Sequence, residues 1–126
     1  MEFVSCDPSN YRAGRTQPVR YIVMHYTANN GDTAKNNCDY YHRVGGLQAS
    51  AHYFCDEHGA MQSVRECDTA WHCGARAYWH PECRNANSIG PVYRAALEAH
   101  GIPVSAETSG GFYTSEEVSV LCSLLA

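Results

Sequence analysis

The sequence predicts an α/β fold, a mixed central β-sheet flanked by helices, with a cleft at the end of the first strand. Three observations carry this expectation. Residues 20–27, RYIVMHYT, read as a short buried strand that ends on polar groups. A turn-rich segment then leads into a stretch of helical periodicity. Two further strand-like runs follow, joined by a turn containing glycine.

Residues 1–18 contain Pro8, Gly14 and Pro18 and are read as an irregular arm, with the domain proper spanning 19–126. In the first strand, Tyr21, Ile22, Val23 and Met24 supply the β-branched and aromatic content of a fully buried element. His25, Tyr26 and Thr27 stand at its end, where sheets commonly open onto a site. A neutral imidazole on a rigid strand is a good metal ligand because its direction is fixed beforehand. A satisfied core or edge histidine is the alternative reading.

Asn29, Asn30, Gly31 and Asp32 form a turn-rich stretch, and Asp32 or Thr33 caps the helix that follows, expected to run to about Arg43. Ala34, Cys38 and Tyr41 fall on one face, and Gly45 and Gly46 end it. Strands are expected at 51–56 and 60–64, with Glu57, His58 and Gly59 as the hairpin turn. A loop over 65–87 carries Trp71, Tyr78 and Trp79, which suit either packing or contact with a sugar or peptide. A short helix is expected at 93–101, ended by Gly101. A last helix is expected to start at the capping box Thr114-Ser115-Glu116-Glu117. Its apolar face, Val118, Leu121, Leu124 and Leu125, runs to the last residue and invites a partner, either a complementing C-terminal fragment or a second copy.

With 126 residues, 44% hydrophobic and 17% charged, the chain is one domain or part of one, with enough apolar material for a core. A net charge of -4 leaves no basic footprint, so no nucleic-acid partner is expected. No apolar run reaches membrane-spanning length. The start, MEFVSCDPSN, has neither a basic segment nor an apolar stretch, so synthesis in the cytoplasm without a signal peptide is expected. Seven cysteines, an odd number, are read as mostly buried thiols and not as a disulfide framework. Cys67, His72, Cys73, His80 and Cys83 cluster in sequence, but without the tight Cys-x-x-Cys pairs of a structural zinc site.

Four segments, taken in order, are more specific: RYIVMHYT at 20–27, SAHYFCDEHG at 50–59, TAWHCG at 69–74 and NANSIG at 85–90. Together they resemble the zinc-dependent N-acetylmuramoyl-L-alanine amidases of type 2, from about Val19 to Gly90. That family shares its fold with phage T7 lysozyme and the peptidoglycan recognition proteins. The resemblance implies a peptidoglycan hydrolase that cuts the amide between N-acetylmuramic acid and L-alanine of the stem peptide. It implies an endolysin-like role at the bacterial cell wall, of phage or prophage origin, with peptidoglycan or muropeptides as partners and no membrane. The implied cofactor is Zn2+, which lowers the pKa of a bound water and polarises the scissile carbonyl. By the same resemblance His25 is the first zinc ligand. His52, Trp71, His72 and Asn87 fall on positions that face or line the substrate groove, with packing or turn-forming roles as the alternatives for His52 and Asn87.

Two departures stand beside the matches. Where the family carries a glutamate on its central strand, the general base in members that use it, this chain has Val92. Pro91 precedes it and removes a ladder donor, so a central strand is expected to be hard to continue there, and 91–111 reads as atypical. The family's other two zinc ligands are expected beyond the last helix and so are absent from the chain. His100 and Cys122 do not match their motif. The C-terminal part of the fold is therefore expected to be missing. The readings that follow are an amidase represented by its N-terminal portion, a catalytically inactive peptidoglycan-binding module, or a truncated gene product.

Overall fold

The computed structural model describes residues 1–26, 31–75, 77–78, 80–93, 106–107, 117–118 and 120–124. In chain order the strands are β1 (Tyr11–Arg12), β2 (Tyr21–Tyr26), β3 (Tyr53–Asp56), β4 (Gly59–Gln62), β5 (Thr69–Ala70), β6 (Ser88–Ile89), β7 (Pro91–Tyr93), β8 (Ala106–Glu107), β9 (Glu117–Val118) and β10 (Val120–Leu124). One α-helix, α1 (Ala34–Arg43), lies among the described residues. The main sheet runs β10-β2-β7-β3-β4, and β6 also pairs with β2. β2, β7 and β3 are parallel, while β4 and β10 are antiparallel to their neighbours, so the sheet is mixed as the sequence predicts.

Strand β2 sits inside this sheet, where a short apolar segment is expected. Tyr21, Val23 and His25 are buried on one face, and Ile22, Met24 and Tyr26 are half-buried on the other. β3 and β4 form the expected hairpin, shorter than 51–56 and 60–64, with Gly59 at φ +133. That positive φ is easily adopted only by glycine. α1 packs on both strands of the hairpin through Ala34, Cys38 and Tyr41, the three predicted positions. The Tyr41 ring stacks on Phe54 at 5.3 Å. Cys6, Val64, Ala70 and Val92 complete this core.

Of the two candidate caps, Thr33 is the one used: its Oγ1 accepts from the Asn36 amide at 3.1 Å. A second orphan amide, that of Ala34, donates to Asp56 Oδ2 at 2.8 Å, which ties the helix start to the end of β3. At the other end Val44 closes the helix through a bond to the Tyr40 carbonyl, before Gly46 takes a φ of +72. The first residues of the chain lie along the hairpin, with the Val4 and Cys6 amides donating to the Gln62 and Ser63 carbonyls at 2.9 Å each. Buried Asn10 donates to the Val44 carbonyl at 2.7 Å and accepts from the Leu47 amide at 2.8 Å. Among the thiols, Cys6, Cys38 and Cys83 are buried, Cys55 is half-buried and Cys67 exposed. Burial raises the Cys38 thiol to about 12, which keeps it protonated.

Four expectations are corrected. β7 starts at Pro91 and lies between β2 and β3, so the central strand does pass through the proline. Pro91 is the first residue of the strand, where a missing donor is tolerated. The Gly90 carbonyl before it already accepts from the His52 amide at 3.0 Å. Tyr93 therefore ends a strand and does not begin a helix, and the rest of that expected helix, 94–101, lies outside the described residues. The expected last helix is likewise replaced, within the described residues, by β9 and β10. β10 pairs antiparallel with β2, Val120 opposite Met24 and Leu124 opposite Tyr21. The edge of β2 offers a full row of backbone donors and acceptors, and such pairing satisfies them where isolated helix propensity is a weak prior. Thr114, Ser115, Glu116 and Leu125 lie outside the described residues. Finally, the 65–87 loop contains β5, paired antiparallel with β1, and a 3-10 turn at Asn85–Asn87.

Replacing Thr33 with Ala removes the cap on α1 and is expected to lower stability by about 1 kcal/mol. Urea unfolding followed by far-UV circular dichroism checks this, and an unchanged midpoint would show the cap to be idle.

Candidate functional site

The parallel pairing of β2 with β7 places His25 opposite Val92, and β3 places Phe54 on the other side of Val92. Val92, the residue that the sequence comparison expects at the family's glutamate position, is a buried apolar side chain, 1% exposed. Behind the strand ends three histidines meet ring against ring. His25 and His72 have centroids 5.2 Å apart at 84°, and His52 and His72 lie 5.8 Å apart at 76°. All three are buried, at 3%, 1% and 0% exposure for His25, His72 and His52.

Each ring is held by specific bonds. His25 Nε2 lies 2.9 Å from His72 Nδ1, and His72 Nε2 lies 3.0 Å from Ser88 Oγ. The Ser88 hydroxyl in turn donates to the Arg84 carbonyl at 2.8 Å. His52 Nδ1 accepts from the Gly90 amide at 3.1 Å, so its proton sits on Nε2, which donates to the Asp68 carbonyl at 3.1 Å. Arg15 approaches the same nitrogen at 3.0 Å and directs its other donors to the carbonyls of Glu66, Ala86 and Ser88. Burial lowers His25 to about 4, and burial with the nearby Arg15 charge lowers His52 to about 4. Burial, and then the neighbouring imidazoles, hold His72 well below the ordinary histidine range. All three rings are therefore neutral at pH 7.

Gly90 makes this packing possible. A Cβ at that position would meet the His72 ring at 2.5 Å, closer than real side chains approach. Asn85 Oδ1 secures the backbone of the same segment, accepting from the His72 amide at 3.0 Å and the Cys73 amide at 2.8 Å. Asn87 is buried in the turn before β6. It accepts from the Arg84 amide at 2.8 Å and donates to the Glu82 carbonyl at 3.0 Å. Trp71 is half-buried, and its backbone bonds Ser50 in both directions, at 2.9 and 3.0 Å. The structure thus brings His25, His52 and His72 together, with Trp71 adjacent to His72 in the chain and Asn87 in the neighbouring turn. Arg15, Asn85 and Ser88 belong to the same network without having been singled out from sequence. Asn85 and Ser88 lie in the quoted 85–90 segment, whereas Arg15 stands just after β1, in the stretch that the sequence reads as an irregular arm and where no spacing marks it. A separate open cavity of about 370 Å³ lies at the start of α1, between Thr33, Asp56, His58 and Met61.

Residues 15–109 match the family described as N-acetylmuramoyl-L-alanine amidase. The chain belongs to that family. It is also 40% identical over 110 residues to the N-acetylmuramoyl-L-alanine amidase CwlL of Bacillus licheniformis, covering 82% of this chain and 30% of that one. A probable N-acetylmuramoyl-L-alanine amidase from the same organism is 39% identical over 57 residues, covering 43% and 16%. Among solved structures, a point mutant of PlyL superposes with a TM-score of 0.60 at 25% identity, covering 75% of this chain and 57% of that one. The catalytic domain of PlyG gives 0.55 at 27%, covering 80% and 59%. This amidase-family chain therefore spans less than a third of the length of CwlL.

Members of this family are generally zinc-dependent. In this amidase-family chain His25 offers one imidazole, but among the described residues no three His, Cys, Asp or Glu side chains converge on a point that would hold a metal ion. His80, from the cysteine–histidine cluster, instead accepts from the Glu82 and Cys83 amides through Nδ1 at 3.1 Å each. The described residues alone do not fit a zinc centre. No helix among them is long and apolar enough to cross a membrane.

The histidine cluster makes stability depend on acid and on the space at residue 90. His52 has a folded pKa of about 4 against an ordinary 6.5, so the unfolded chain takes up its proton first. Its stabilisation is complete above pH 6.5 and is lost as pH falls toward 4, by up to about 3 kcal/mol. Urea midpoints at about pH 7.5 and about pH 4.5 test this, and a midpoint that rises on acidification would contradict it. Gly90→Ala drives a methyl into the His72 ring and is expected to cost about 1–3 kcal/mol. Thermal unfolding of the variant reads that loss.

Proposed function

We propose that this chain carries the fold and substrate groove of a peptidoglycan amidase, acting on the bond between N-acetylmuramic acid and L-alanine of the stem peptide at the bacterial cell wall. The observation that carries this reading is the family match across 15–109. The 40% identity to CwlL supports it. Zinc is the proposed cofactor, with His25 as one ligand and the other donors outside the described residues or on another polypeptide. Trp71, half-buried beside His72, is the proposed apolar contact for sugar or peptide. His52, His72 and Asn87 serve by fixing the backbone around the groove, since their polar atoms are engaged within the protein.

A second reading is favoured by one specific observation, the burial of Val92 where the family carries its glutamate. A valine moves no proton, so a chain built this way is suited to bind muropeptides without cutting them.

Incubating the purified chain with peptidoglycan, with added zinc and separately with a chelator, separates the two. Cleavage is expected to release new L-alanine amino termini and no new reducing sugar ends, and to stop with chelator. Muropeptide binding that persists in chelator without new amino termini would replace the amidase reading with the binding module. Neither binding nor cleavage would remove both.

A further inference from the structure

We infer that His72 and Ser88 form a positioning pair that locks His25 in a single tautomer, with its proton on Nε2 and its lone pair on Nδ1. The inference deepens the amidase reading and rests on it for its use, while the proton assignment stands on geometry alone.

The assignment starts at a group with no freedom. The Arg84 carbonyl only accepts, so the 2.8 Å contact from Ser88 Oγ consumes the one hydroxyl hydrogen. Ser88 Oγ then has only lone pairs to offer His72 Nε2 at 3.0 Å, and Nε2 must carry a hydrogen. Ser88 and His72 are 0% and 1% exposed, and a buried imidazole without a carboxylate partner is neutral, with one N–H. His72 Nδ1 is therefore an acceptor. His25 Nε2, 2.9 Å from the same nitrogen, must donate, which leaves the lone pair of neutral His25 on Nδ1.

Orientation follows from the same contacts. The His72 ring is pressed onto Gly90, where even a methyl has no room, and its backbone amide is held by Asn85. His25 meets it edge-on at 84° from a residue in register with Val92 of the neighbouring strand. The imidazole is thus fixed both in direction and in which nitrogen carries its hydrogen. His72 and Ser88 act through His25 in this arrangement.

The test is the histidine side-chain nitrogen spectrum of the 15N-labelled chain, recorded by long-range proton–nitrogen correlation near neutral pH with chelator and no substrate. Both His25 and His72 are expected to show the single pattern of the Nε2-protonated tautomer. A His25 protonated on Nδ1 would overturn the inference. In Ser88→Ala the constraint on His72 is removed, and loss of the single-tautomer pattern is expected at His72 and, through it, at His25. Retention of the pure pattern at both rings would show that Ser88 sets nothing. If that variant does not fold, the wild-type spectrum decides by itself. Because no substrate is present, loss of the amidase reading would leave this result standing, and a wrong tautomer would leave the amidase assay standing.

Discussion

The contact on which the rest of the site depends is the one between the His72 ring and Gly90. A side chain at position 90 would sit 2.5 Å from the ring, so the bare backbone is what allows an imidazole to lie across the junction of β6 and β7. From that seat His72 reaches His25 on one side and Ser88 on the other, and its ring packs against His52. The Gly90 amide and carbonyl both bond His52, so the same residue also sets the register between the central strand and β3. Gly90 thus serves twice, its missing Cβ seating the His72 ring and its backbone pairing with His52.

The histidines are there at an energetic disadvantage that the network offsets. Buried polar rings cost a few kcal/mol each when their nitrogens go unmatched. Here the matching is directional: His52 takes a backbone amide and gives to a backbone carbonyl, and His72 gives to a serine that itself gives to a carbonyl. Arg15 finishes the arrangement by gathering the carbonyls of Glu66, Ala86 and Ser88. The arrangement has little tolerance for a second proton, which is why acid and not base is the hostile direction.

Local signals served where local physics decides. The β2 run, the Thr33 cap, the Ala34, Cys38, Tyr41 face and the Gly59 turn each follow from periodicity or from a backbone need within a few residues, and the structure places them there. Pro91 misled because the rule against proline in central strands concerns donors, and the first residue of a strand need not donate. The C-terminal capping box misled because an unpaired edge of β2 is a stronger claim on the chain than a good helix start. Four motifs in order single out His25, His52, Trp71, His72 and Asn87, and the structure packs the rings of the three histidines together. Arg15 was not legible, because nothing short of the folded chain reveals that residue 15 lies against the carbonyls of residues 66, 86 and 88.

The order of the sheet also constrains how the chain can be made. β7 is the last of the three parallel strands in sequence yet lies between the other two. Until residues 91–93 have emerged from the ribosome, β2 and the β3–β4 hairpin have no common neighbour, and two apolar edges stand open. The contacts that close the sheet join residues 25 and 92, so they are formed late and over a long loop. The nascent protein therefore passes through a stage in which β2 is complete but its parallel neighbour β7 is not yet made, and its pairing edge stands exposed in that interval.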